Sequence, residues 1–575
     1  MNTLVLLLVC TALLACGYLF YGRWLCKQWG VDETNSIPTP AHTMTDGMDY
    51  VPAKPQVLMG HHFSSIAGAG PITGPIAAAM FGWLPVTLWV LVGGIFFGGP
   101  YDFGALVASI RNKGQSLGEL IDVNISRRGK ILFTAFVYLT IVLVIAAFSA
   151  IVSGTFGAVV KDGAIDVAAS STQASVAMVS ILFLVVAVVY GFLFYHRRVS
   201  GWLSAAMAIG AIILCLAVGM NWHPIYMPAS TWMYVVGVYI AIASVTPVWI
   251  LLQPRDYLSS FLLYAMIILA FVGIVGAHPD INPEKFPAFT GFAVETKNGI
   301  QYLFPILFTT VACGAISGFH AIVSSGTTSK QLDKESHARP IAYGSMLLEC
   351  VMAIITICAI AYAREIGHTK GVTDIFAGGI AAMVAAVPGL SGFETIIYTL
   401  LVLTYSAFCL TSLDTCARVG RFMFQEFWLE PGQTVHDIKD GWKSIMVNPF
   451  FATIMTVIPG IALGMNGFQK VWGIFGTANQ LLAGLGLLAL AAWLTNAGKN
   501  NKMFRYPMIF MIIVTISSLL IIIRNQIMII AAGGADWGPY AQVVIGCLLT
   551  VMAVFLVIEG FGIISGKKKH PIIED

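Results

Sequence analysis

The chain has 575 residues, of which 58% are hydrophobic and 10% charged, against roughly 25% charged in an ordinary soluble domain. So apolar a composition excludes a soluble globular enzyme and makes the bilayer the main solvent. The net charge of +3 includes no like-charged run longer than Lys567, Lys568 and Lys569, which points to neither nucleic acid nor an acidic polymer as partner.

In chain order the first apolar stretch, 3–22, has no Lys or Arg before it, so it reads as a retained membrane helix rather than a signal peptide. Further stretches predict helices at 60–80, 83–108, 130–157, 176–195, 200–219, 231–252, 257–276, 301–327, 341–363, 392–416, 448–466, 471–496, 505–524 and 540–564. A shorter segment lies at 374–388. With fifteen spans and the amino terminus outside, most Lys and Arg fall in inside loops, including Arg111, Lys113, Arg127, Arg128 and Lys130. The outside keeps Lys161, Lys285, Lys297, Arg364, Lys370, Lys470 and Arg524. That bias predicts a periplasmic amino terminus and a cytoplasmic carboxyl terminus. The ten cysteines stand singly in apolar segments without ligand spacing and read as small core hydrophobes.

Three segments break the apolar pattern. GHHFSSIAGAGPITGP, from Gly60 to Pro75, carries glycines and prolines where a helix should cross. Such a break survives at membrane depth where it lines a cavity, which makes it a binding-site candidate; close helix packing through small residues is the alternative. Pro247, after Ser244 and Thr246, predicts a second break in the helix at 231–252, in the opposite direction of travel, or an ordinary kink. Within 301–327, Ser324 and Ser325 lie three and four residues after Ala321. Their hydroxyls and its carbonyl can converge on a small hard cation or simply satisfy the helix backbone.

Ionisable residues inside spans are functional candidates because of their cost. Glu349, mid-helix in GSMLLECVMAII, suits a proton carrier. His61, His62 and His320 lie at or near the breaks, suited to an anionic substrate or a proton relay. A zinc site on these three histidines is set aside, since adjacent side chains point apart on a helix and no cysteine or carboxylate joins them at ligand spacing. Asp102, Arg255 with Asp256, and Asp414 lie near helix ends and rank lower; Asp414 is placed to pair with Arg418 one turn on.

GHHFSSIAGAGPITGP, YDFGALVASIRNKGQSLGELI, VWILLQPRDYL, SGFHAIVSSGTTSKQL and LTSLDTCARVGRF together resemble the carbon starvation protein A family over nearly the whole chain. The resemblance implies an inner-membrane importer of peptides or pyruvate within the amino acid/polyamine/organocation superfamily. It further implies an all-α fold with a leucine-transporter-like core of two inverted five-helix repeats. On that plan 1–30 is an extra first helix and 55–420 the core, with repeats near 59–220 and 231–418. Extra helices follow at 445–566, and 567–575 is a cytoplasmic tail. The helices at 60, 231 and 301 become core helices one, six and eight. The implied substrate set is His61, His62, Ser64, Gly68, Gly70, Thr73, Thr246 and His320. The coupling set is then Ala67, Gly70, Ala321, Ser324 and Ser325 together with Glu349 from the reading of ionisable residues, with H+ or Na+ as coupling ion and no other cofactor.

The expectation is therefore cation-coupled import of a small organic nutrient by a multi-pass protein of the bacterial inner membrane. The absence of a Gly-x-x-x-x-Gly-Lys-Ser/Thr loop argues against a primary pump. An intramembrane enzyme and a nutrient sensor are the rivals. The sequence leaves the oligomeric state open.

Overall fold

Long apolar segments with few charges satisfy their backbone polar groups internally only as helices, and helices dominate the molecule. The computed structural model describes residues 1–32, 34–196, 201–296, 299–369, 371–430, 433, 435–467, 472–533 and 536–566. The expected tail 567–575 and the basic Arg197, Arg198, Lys297, Lys370 and Lys470 lie outside the described residues.

The main helices are α1 (Thr3–Trp29), α2 (Pro55–Ala67), α3 (Gly70–Ala78), α4 (Trp83–Arg111), α5 (Arg127–Phe156), α6 (Ser171–Leu193), α7 (Trp202–Asn221), α8 (Ala229–Val245) and α9 (Leu252–Ala277). They continue with α10 (Leu303–Thr310), α11 (Gly318–Gly326), α12 (Glu335–Ile366), α13 (Glu394–Glu426), α14 (Pro449–Met465), α15 (Trp472–Asn496), α16 (Lys502–Ala531) and α17 (Trp537–Ile564). Among the described residues, eleven helices are long and apolar enough to cross a bilayer. Four of the fifteen expected spans are not among them, for two reasons. α8 and α14 have 17 residues each, and the other two spans are each interrupted, as α2/α3 and α10/α11.

The interruptions lie side by side. α10 packs on α3 and α11 packs on α2, so the two broken helices run antiparallel. Gly68 adopts φ 45, ψ −148, open only to glycine without strain; a Cβ there would also come within 3.1 Å of Ser412 Oγ. Gly70 restarts the helix so close to the second break that a Cβ would lie 2.3 Å from Cys313. At the second break, 311–317, side chains meet the freed carbonyls: Trp89 Nε1 donates to Val311 O at 3.1 Å, and Gln480 Nε2 to Phe308 O in the last turn of α10 at 2.8 Å.

Two expectations are corrected here. The helix at 301–327 is not continuous, and Pro247 does not break a helix from within. α8 ends at Val245, Thr246 is extended at φ −76, ψ 140, and Pro247 sits in the connection to α9. A proline disfavours helical geometry in the residue before it, which here terminates the helix instead of unwinding its middle.

Around the broken pair, α4 packs on α12 and α5 on α13; α8 and α14 pack on each other and on both α5 and α13. α9 lies against α2, and α15 against α11. α1 lies against α12, and α16 and α17 against α15.

Candidate functional site

A cavity of about 130 Å³ opens where the breaks meet. Gly70, Thr73 and Gly74 line it from α3, Thr309 to Cys313 border it from the second break except Val311, and Phe475 and Asn479 face it from α15. The amide end of α11 is capped: Asn479 Oδ1 accepts from Phe319 N at 3.0 Å, and Asn479 Nδ2 donates to Ser317 Oγ at 3.0 Å. The amide end of α3 begins at Gly70, at the cavity wall.

Cys313 connects this cavity to a fully buried ionisable group. Asp102 of α4, His320 of α11 and Glu349 of α12 are all 0% exposed. His320 Nδ1 is hydrogen-bonded to Asp102 Oδ2 at 3.1 Å, and His320 Nε2 lies 3.4 Å from Glu349 Oε2 without the alignment of a hydrogen bond. Asp102 Oδ1 and both Glu349 oxygens also lack partners among the described residues. The donor atoms of Cys313, His320 and Glu349 fall within 4.8 Å of one another. That spacing is also short enough for a metal ion, on a cysteine, a histidine and a carboxylate and not on the three histidines considered from sequence.

A second buried network lies between α2, α9 and α13. His61 Nδ1 meets Asp256 Oδ2 at 2.5 Å, and its Nε2 lies 3.4 Å from Thr327 Oγ1. Arg255 donates to Asp414 and to Thr411, and at 2.5 Å to the hydroxyl of Tyr239. Tyr239 in turn donates to Asp414 Oδ2 at 2.6 Å. Ser412 donates to Ser65 O at 2.9 Å, and the hydroxyls of Ser65 and Thr415 are 3.1 Å apart.

Of the residues singled out from sequence, Gly70 and Thr73 line the cavity and His320 with Glu349 form the adjoining group. Gly68 forms the break itself, one residue after Ala67. His61 belongs to the second network. His62 Nδ1 meets Thr328 Oγ1 at 2.8 Å, and the buried Ser64 hydroxyl has no partner among the described residues. Thr246 is remote from the cavity: its hydroxyl bonds Ile242 O at 2.8 Å and its carbonyl takes a bond from Arg418.

The expected convergence of Ala321, Ser324 and Ser325 is a local helix contact, since Ser325 Oγ donates to Ala321 O at 2.7 Å. The buried Ser324 hydroxyl has no partner among the described residues. The hydroxyls that reach across to α2 come from Thr327 and Thr328, just after α11, and from Ser412 and Thr415 of α13. Asp102, Arg255, Asp256 and Asp414, ranked low, are all buried. Asp414 pairs with Arg255 rather than Arg418, which binds Asp49 at 2.8 Å. Asn479 was missed, and an asparagine in an apolar helix was the only signal for it.

The family model described as Carbon starvation protein CstA matches residues 2–367 and 361–518. The chain belongs to this family. It is 31% identical over 539 residues to the peptide transporter CstA of Bacillus subtilis, covering 85% of this chain and 84% of that one. To the pyruvate/proton symporter BtsT of Escherichia coli it is 36% identical over 360 residues, 60% of this chain and 46% of the other. Among solved structures it resembles the manganese transporter of Eremococcus coleocola with a TM-score of 0.51 and 11% identity, covering 91% of this chain and 99% of that one, a likeness of fold alone. This CstA-family protein is thus a multi-pass bacterial membrane transporter with a leucine-transporter-like fold, and not an enzyme.

Proposed function

We propose that the protein imports a small organic carboxylate of pyruvate size across the bacterial inner membrane by proton-coupled alternating access, with its amino terminus periplasmic and its carboxyl terminus cytoplasmic. The observation that carries this reading is the cavity between two adjacent helix breaks with Asp102, His320 and Glu349 joined to it through Cys313. Broken helices expose amide ends suited to a carboxylate, here the start of α3 at Gly70, with Thr73 and Asn479 beside it. Asp102, His320 and Glu349 carry and release the coupling proton.

Size favours the smaller substrate. The cavity, about 130 Å³, is well below the roughly 300–1,000 Å³ of sites for drug-sized ligands, which disfavours a peptide. The Bacillus relative is named for peptides and the Escherichia relative for pyruvate and protons; the cavity supports the second for this chain.

The packing also supports a different division of the core from the one expected. The broken pair, α4 with α12, α5 with α13 and α8 with α14 pack as counterparts. On this division the repeats run from α2 to α9 and from α10 to α15, with the α6–α7 hairpin inserted in the first. The counterpart of the first broken helix is then α10/α11 and not α8.

Uptake of labelled pyruvate and of a labelled dipeptide into proteoliposomes, under a proton or a sodium gradient separately, tests the reading. Pyruvate accumulation driven by the proton gradient is expected. No gradient-dependent uptake of either solute would overturn it.

A further inference from the structure

Oxygens of α8 and α13 surround the buried guanidinium of Arg255 on α9. Thr411 and Asp414 of α13 and Tyr239 of α8 all accept from Arg255, and Asp256 Oδ1 lies 3.8 Å from its Nη2. Immediately beside them, Ser412 reaches the Ser65 carbonyl on α2, three residues before the Gly68 break, and Thr415 lies against the Ser65 hydroxyl. Carboxylate and hydroxyl oxygens drawn from two helices, α8 and α13, are donors of the kind a small hard cation takes. Arg255, 2% exposed, meets that set from a chain tether. A guanidinium stays charged at any physiological pH, and a buried carboxylate such as Asp414 requires a positive partner at all times. Asp256 has a partner of its own in His61.

We propose that Arg255 is a tethered cation occupying the place of an exchangeable alkali ion among these oxygens of α8 and α13, so that this transporter works without sodium. The inference rests on the transport reading above. It assigns Arg255 as a residue that determines the coupling ion without carrying it: the space is neutralised permanently, and the ion that drives uptake acts elsewhere, at Asp102, His320 and Glu349. Removing the guanidinium leaves Asp414, Thr411 and Tyr239 facing an opened space that sodium can enter.

Two measurements on the full-length purified protein test this. In proteoliposomes, proton-driven pyruvate uptake by the wild type is expected to be the same with choline as with sodium. Arg255→Lys should retain activity, and Arg255→Ala should lose at least about tenfold, the loss of a buried charge partner, with partial rescue by added guanidinium. In detergent, sodium chloride against choline chloride should raise the Tm of Arg255→Ala and leave that of the wild type unmoved. A sodium requirement in the wild type, or a Tm of Arg255→Ala indifferent to sodium, overturns the proposal. Should the wild type transport nothing under either gradient, the transport reading falls, and the Tm comparison alone decides whether Arg255 fills a cation site.

Discussion

Arg255 and Glu349 are comparably removed from water, 2% and 0% exposed, yet their surroundings are opposite. Arg255 is bonded to three side chains from two helices, whereas neither oxygen of Glu349 has a hydrogen bond among the described residues. A buried polar group without partners is costly to keep. The contrast separates a network of fixed charges that holds helices together from one poised to change its charge.

The largest expected effect comes from attacking the bonded network. Asp414→Asn leaves Arg255 buried without its hydrogen-bonded carboxylate, a loss of about 3–5 kcal/mol, read as a large fall in the detergent Tm. Asp102→Asn disturbs a group with one unbonded oxygen already, so it should cost about 1 kcal/mol in stability while stopping proton-driven uptake. If the two Tm values rank the other way, the separation of a structural network from a working one is wrong.

Glu349→Gln sharpens the second half of the contrast. It keeps the shape of the side chain but cannot exchange the proton, so proton-driven pyruvate uptake should vanish while counterflow exchange persists. Equal loss of both activities would make Glu349 a structural residue. Next in size is Gly70→Ala, whose Cβ would meet Cys313 at 2.3 Å. Overpacking of this kind costs about 1–3 kcal/mol and should raise the KM for pyruvate. Cys313→Gly in the same chain removes the obstructing atoms, and the KM should return toward the wild-type value.

These sites were unequally legible in the amino-acid chain. The first break could be read because Gly68, Gly70, Pro71 and Pro75 each oppose a continuous helix locally. The second could not, since 311–317 carries glycine but no proline, and the carbonyls freed there and at the end of α10 are met by Trp89 and Gln480, far away in sequence. Pro247 was the stronger local signal, and it marked a helix end. Helix polarity and burial likewise misplaced the charges: Asp102 and Asp414 lie near helix ends by spacing, but their partners His320 and Arg255 are brought from other helices only by tertiary packing. Periodicity reports which residues avoid water, not which buried groups meet.

The smallest effect is expected at Asn479, where cap and ligand can be told apart. Its Oδ1 accepts the Phe319 amide at the start of α11 while the residue also lines the cavity. Asn479→Ala removes the cap, at about 1 kcal/mol, and lowers the Tm slightly whichever role matters. Asn479→Asp keeps an oxygen for the Phe319 amide and adds favourable charge at a helix amide end, so stability should be preserved. A carboxylate substrate would then meet a like charge across the cavity. A raised KM for pyruvate with an unchanged Tm would mark Asn479 as part of the binding wall; an unchanged KM would confine it to capping α11.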